Sequence, residues 1–117
     1  MSNYALILHG DPNRFTKYSP EEMERISDKY MAWGKDAEDA GFLRASHRLA
    51  LDPGKVMRAN KITDGPYSET KEILGGIYII QAASYDEALS RIQGHPHVKY
   101  GGAIEVRKLH VTECHDE

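Results

Sequence analysis

Cysteine is nearly absent. The 117 residues hold one, Cys114, which excludes an intrachain disulfide and points to a reducing compartment. Long apolar runs are absent too: stretches such as Ile77-Tyr78-Ile79-Ile80 fall far short of the roughly 20 residues that span a bilayer. Met1-Ser2-Asn3-Tyr4 lacks a basic segment followed by an apolar one, so no secretory leader is expected and the chain reads as cytoplasmic, with no membrane partner. Positive charge is in deficit. Fifteen Lys and Arg against 18 Asp and Glu leave a net charge of −3, which argues against direct binding to nucleic acid. No G-x-G-x-x-G, P-loop, nucleophile elbow or H-E-x-x-H occurs, so no cofactor is expected and no nucleotide or zinc-hydrolase site is marked. What is present is an ordinary globular balance, 40% hydrophobic and 28% charged, of a length that suits one domain. That domain is expected over 1–110, followed by a polar tail over 111–117.

The element signals are clear in places. Tyr4 to His9 reads as a first strand, closed by Gly10-Asp11-Pro12-Asn13. Ser19-Pro20-Glu21-Glu22 is a helix start. Ser19 can cap the third amide, Pro20 suits the first helical position, and Glu22 can reach back to the Ser19 amide. Met23, Ile26, Tyr30, Trp33 and Ala37 then recur at three and four, and Gly41 supplies the stop. Phe42 to Leu51 reads as a second strand, turning at Asp52-Pro53-Gly54-Lys55 into a returning strand from Val56 to Asp64. Tyr67 to Leu74 reads as irregular or briefly helical. Gly75-Gly76 opens the strand Ile77 to Ala82. Ser84-Tyr85-Asp86-Glu87 starts a short helix that Gly94 and Pro96 end, and Ala103 to Leu109 is the last strand.

The order is β-α-β-β-β-α-β, an α+β, ferredoxin-like βαββαβ plan with an extra hairpin arm. Two helices can seal only one face of the sheet. Leu6-Ile7-Leu8 and Ile77-Tyr78-Ile79-Ile80 do not alternate, so the strands read as buried on both faces. A homodimer that packs sheet on sheet is therefore expected, with space for a small-molecule ligand.

The densest polar stretch is Asp64-Gly65-Pro66-Tyr67-Ser68-Glu69-Thr70-Lys71-Glu72, followed by Gly75-Gly76. It resembles the DGPF motif of the YCII-related, or DGPF-domain, family of small bacterial proteins. Ile73 to Ala82, Ser84 to Ala88 and Gly101 to Arg107 continue the likeness, which runs from about Tyr4 to Arg107. The resemblance implies a dimeric α+β barrel of ferredoxin-like protomers. It implies for one branch an activity that removes chlorine from chlorinated lactones, and for others an association with extracytoplasmic-function sigma factors. Asp64 matches the family's acidic position. The His that one branch carries near the start of the first long helix has no counterpart in Ser19 to Tyr30.

Two readings of Asp64 stand side by side. In an apolar cleft its carboxyl would be hard to ionise and would serve as a general acid or base. At a turn it would instead accept backbone amides as a cap. His9, at the end of the first strand, and His47 are the imidazoles placed to stand in for the missing one. Trp33, Pro66, Glu69 and Arg48 are candidate ligand contacts, although Tyr30 and Trp33 also fit the helix's core stripe. His95 and His97 flank Pro96. In an extended segment they would project together, but no third ligand is placed by spacing, so no metal is expected. The function these residues allow is a small cofactor-independent enzyme of isomerase or lyase type, with Asp64 as acid and base on a small organic molecule. The alternative is a non-catalytic module for a ligand or protein partner, linked to sigma-factor regulation.

Overall fold

The computed structural model describes residues 1–50, 54–64 and 73–111, apart from the side chains at 12, 14 and 73. Six strands and three α-helices follow one another as β1 (Ser2–Gly10), α1 (Pro20–Ala40), β2 (Leu43–Arg48), β3 (Lys55–Met57), β4 (Ile62–Asp64), β5 (Ile73–Ala82), α2 (Tyr85–Arg91), α3 (Pro96–Lys99) and β6 (Ala103–Lys108). A single turn of 3-10 helix at Pro12–Phe15 precedes α1.

Local chemistry sets both ends of α1. The Ser19 hydroxyl accepts the Glu22 N–H at 3.1 Å, and the Glu22 carboxylate accepts the Ser19 N–H at 2.8 Å. The bond from the Ser19 amide holds the Glu22 carboxyl below the usual carboxylate range. Gly41 closes the helix at φ +87°, a conformation that costs an L side chain energy.

The main sheet has the order β2-β5-β1-β6 and is antiparallel at every neighbour. β1 and β2 are therefore parallel with β5 between them, and β5 and β6 are parallel with β1 between them. The crossovers through α1 and through α2–α3 bring the helices onto one face. This is the expected α+β, ferredoxin-like βαββαβ plan. The register pairs Tyr4 with Ile80, Leu6 with Tyr78 and Leu8 with Gly76. The large side chains of this set are buried beneath the helices, where Leu6 and Ile80 are fully enclosed. Burial of each is worth about 1.5–3 kcal/mol. Ala5 pairs with Ile79 and Ile7 with Ile77 on the opposite face. That face is apolar at its centre, which is why these strands do not alternate in sequence.

Three expectations need correction. The arm is not β2 paired with a long strand over Val56 to Asp64. β3 and β4 form their own two-stranded sheet, closed by reciprocal bonds between Arg58 and Lys61 of 2.8 and 3.3 Å. Asn60, a turn former, breaks the run there. Gly75-Gly76 does not open β5 but lies inside it, because β2 crosses so near that a Cβ on Gly76 would stand 2.9 Å from the His47 carbonyl oxygen. Pro96 does not end a helix but begins α3. The positions 65–72, which carry most of the DGPY stretch, and the tail beyond 111 lie outside the described residues. No described helix is long and apolar enough to cross a membrane.

Candidate functional site

The site begins with a turn. α2 gives out at Ile92, Gly94 reverses the chain at φ +82°, and His95 caps the short helix that Pro96 starts. The two imidazoles are therefore not side by side on an extended segment. Both turn inward, with ring centroids 6.5 Å apart. Both are enclosed, at 0% and 1% exposure, and buried polar rings of this kind require partners.

Those partners decide where the ring protons sit. His95 Nδ1 accepts the His97 backbone N–H at 2.9 Å. An amide can only donate, so His95 Nδ1 is bare and the ring proton is on Nε2. Nε2–H then donates to the Tyr78 hydroxyl oxygen at 3.2 Å. His97 Nε2 lies 2.7 Å from the carbonyl oxygen of His9. A carbonyl can only accept, so His97 carries its proton on Nε2. In the neutral ring Nδ1 accepts from the Tyr30 hydroxyl at 2.8 Å.

The surroundings are aromatic and dry. Trp33 packs 4.6 Å from His95 and 4.9 Å from Tyr78, and Tyr30 packs 5.5 Å from His95. Burial, aided by the neighbouring His97, pulls His95 down to about 4, so it is neutral at physiological pH. Burial, with Tyr30 nearby, pushes Tyr78 up to about 12 while Arg48 pulls the other way. Tyr78 is thus a standing hydroxyl donor. Gly102 completes the seat of His97. A Cβ there would meet Nε2 at 2.3 Å, and the Gly102 N–H donates to the His97 carbonyl at 2.8 Å.

Tyr30, Tyr78 and His97 line one end of a cleft of about 960 Å³ between α1 and the sheet. Leu8, Met23, Ile26 and Leu43 supply apolar wall, and His47 and Arg48 stand at the end of β2. An apolar cleft with a few convergent polar groups is the usual form of a small-molecule site. Chemically it offers an oxygen backed by an imidazole, and a hydroxyl donor beside it.

The sequence candidates scatter. The His9 imidazole lies away from the cleft and pairs with Glu105 at 2.9 Å. That bond, with one from Arg107, keeps the Glu105 carboxyl below its usual range. Only the His9 carbonyl reaches the site. Asp64 is exposed on the arm and paired with Lys55. His47 and Arg48 line the cleft, whereas Trp33 does not and packs instead on His95, in the core stripe. Pro66 and Glu69 lie outside the described residues. Tyr30, Tyr78, His95 and His97 form the hydrogen-bonded candidate set that sequence reasoning did not bring together. The signal for it was local but weak: His-Pro-His directly after a helix-ending glycine, and a tyrosine in an otherwise apolar stripe. Among the described residues no group of three or more His, Cys, Asp or Glu is placed to hold a metal.

Comparison with known proteins agrees with this architecture. An uncharacterised protein of Rhizobium meliloti strain 1021 is 32% identical over 112 residues, spanning 91% of this chain and 90% of that protein. In fold, the chain is similar to the 5-chloro-2-hydroxyhydroquinone dehydrochlorinase of Burkholderia phenoliruptrix AC1100, solved in complex with 2,5-dihydroxybenzoquinone. The TM-score is 0.57 at 16% identity, with 97% of this chain and 99% of that chain covered. At that identity the likeness concerns the fold alone. The model of the YCII-related domain matches residues 2–112, and the chain belongs to that family.

Proposed function

We propose that the protein is a small cofactor-independent enzyme that moves a proton on a small organic molecule, in an isomerase- or lyase-like reaction. The observation that carries this reading is the 2.8 Å bond between Tyr30 and His97 Nδ1, at the end of a large apolar cleft, with the other ring nitrogen held by a backbone carbonyl. Tyr30 takes a proton from the substrate as its own passes to His97. The imidazolium that results keeps both hydrogen bonds, now donating at Nδ1 and at Nε2. Negative charge that builds on a substrate oxygen meets the Tyr78 hydroxyl, whose orientation the neutral His95 maintains. The proton then returns through Tyr30 to a different substrate atom, which completes an isomerisation, or it remains while a leaving group departs. In this reading Asp64 has no part in the chemistry from within its own protomer.

Proton exchange tests this without knowledge of the product. Small enolisable ketones, phenols and hydroxyquinones, including the 2,5-dihydroxybenzoquinone bound by the structural neighbour, are incubated with the protein in D2O and followed by NMR. Exchange at one carbon, lost in Tyr30→Phe, is the expected result. No exchange across the panel, or equal exchange by Tyr30→Phe, refutes the reading.

We also propose that two copies associate through the helix-free sheet face. Ala5, Ile7, Ile77 and Ile79 form its apolar centre. Met57 and Ile62 on the arm are 77% and 61% exposed, so the arm too presents apolar surface for a partner. Sedimentation should give twice the mass of the chain, and Ile7→Glu should give the mass of one chain. A monomeric wild-type protein refutes it.

A further inference from the structure

The polar groups of the cleft are not neutral in what they prefer. His95 donates its Nε2–H to Tyr78, so the Tyr78 proton must point elsewhere, and among the described residues no acceptor receives it. It is left to donate toward the cleft that Tyr78 lines. Arg48 lines the same cleft, and the β2–β5 register sets it opposite Gly76, two residues along β5 from Tyr78, whose hydroxyl feels its charge. No carboxylate pairs with Arg48 among the described residues, although Lys35, Lys55, Arg91 and Arg107 each have one. Among the described residues the sheet wall thus presents to one cleft a hydroxyl donor and a cation that no carboxylate pairs. The helix wall opposite carries Glu24, Lys35 and Glu38, with Lys35 paired to Asp39. The cation that no described carboxylate pairs is therefore on the sheet side, where negative charge is welcome.

We infer that the cleft takes its ligand as a small organic monoanion, with the anionic oxygen seated between the Tyr78 hydroxyl and the Arg48 guanidinium. The inference rests on the reading of the cleft as a substrate site and names the substrate class. A carboxylate or an ionised hydroxyl on a planar ring fits. Its oxygen accepts from Tyr78 and Arg48, its ring lies against Leu8 and Leu43, and the atom to be deprotonated faces Tyr30.

Binding alone tests this, with benzoate as the anionic probe and benzamide as its neutral isostere, each titrated by NMR against the full chain near pH 7. Benzoate should bind about tenfold or more tightly than benzamide, as expected for charge-assisted hydrogen bonds. Arg48→Gln, an exposed position, should remove most of the preference. Tyr78→Phe, which deletes only the hydroxyl, should reduce it. Tyr30→Phe should keep it, because Tyr30 serves the proton and not the anion. Equal affinity for the two probes, no binding of either, or a preference unchanged in Arg48→Gln overturns the inference. A benzoate preference together with no proton exchange on any compound would instead remove the catalytic reading and leave the anion site standing.

Discussion

Replacing Gly102 with alanine offers the sharpest probe of the site's construction. The added Cβ would lie 2.3 Å from His97 Nε2 and 2.6 Å from Cδ2 and Cε1, far inside the separation of about 3.5 Å at which such atoms rest. The ring has to retreat by roughly 1 Å. Little can accommodate it, because His97 is 1% exposed and held at both nitrogens. A retreat of that size stretches the 2.7 Å bond to the His9 carbonyl and the 2.8 Å bond from Tyr30 beyond useful length. Overpacking costs about 1–3 kcal/mol and each buried group left without its partner about 1–3 kcal/mol. These terms overlap, so the expected destabilisation is about 3 kcal/mol, out of a total of about 5–15 kcal/mol for a domain of this kind. Urea unfolding of the two proteins measures it. Long-range 15N–1H spectra of the histidines show in parallel whether Nε2 of His97 still carries its proton in a hydrogen bond. A loss below about 0.5 kcal/mol, with the His97 ring signals unchanged, would refute the proposed packing around Gly102.

Gly34→Ala is the opposite case: nothing lies within 4 Å of the new Cβ, φ is not positive, and the position is inside α1. It should raise stability by about 0.5–1 kcal/mol by the same unfolding assay, and a loss would contradict the open space seen there. His95 predicts a pH dependence. Its value is about 4 in the folded protein against an ordinary 6.5, so its contribution is complete above pH 6.5 and is lost as pH falls from 6.5 to about 4. At roughly 1.4 kcal/mol per pH unit the loss is about 3 kcal/mol. NMR titration of His95 near 6.5 would disprove it. Ser19→Ala removes the acceptor for the Glu22 amide and should cost about 1 kcal/mol, with protection lost first at the Glu22 and Met23 amides in hydrogen exchange. Uniform protection along α1 in that variant would count against the cap.

Much of the fold was legible because its cues are local. The capping residues of α1, its stop at Gly41 and the strand content of β1, β5 and β6 are written in runs of a few neighbouring residues, whose bonds join positions three or four apart. Even the apolar character of both faces of β1 was visible, since Tyr4 to Leu8 is apolar without alternation. That same feature hid the direction of His9. When both faces of a strand are apolar, period two no longer says which side is inside, and only the register with β5 and β6 turned its imidazole toward Glu105.

The sequence by itself determined the four strands of the main sheet, the two longer helices, their order and the family, but not the separate arm sheet or α3. The tertiary structure alone decided the site. Tyr30 meets His97 across 67 positions, Tyr78 meets His95 across 17, and the His9 carbonyl meets His97 across 88. Such bonds depend on where the crossovers set α1 and α3 over the sheet. No residue type or spacing encodes which distant oxygen a buried imidazole will find. Burial itself obliges it to find one, because an unpartnered polar ring in an apolar core is too costly to keep.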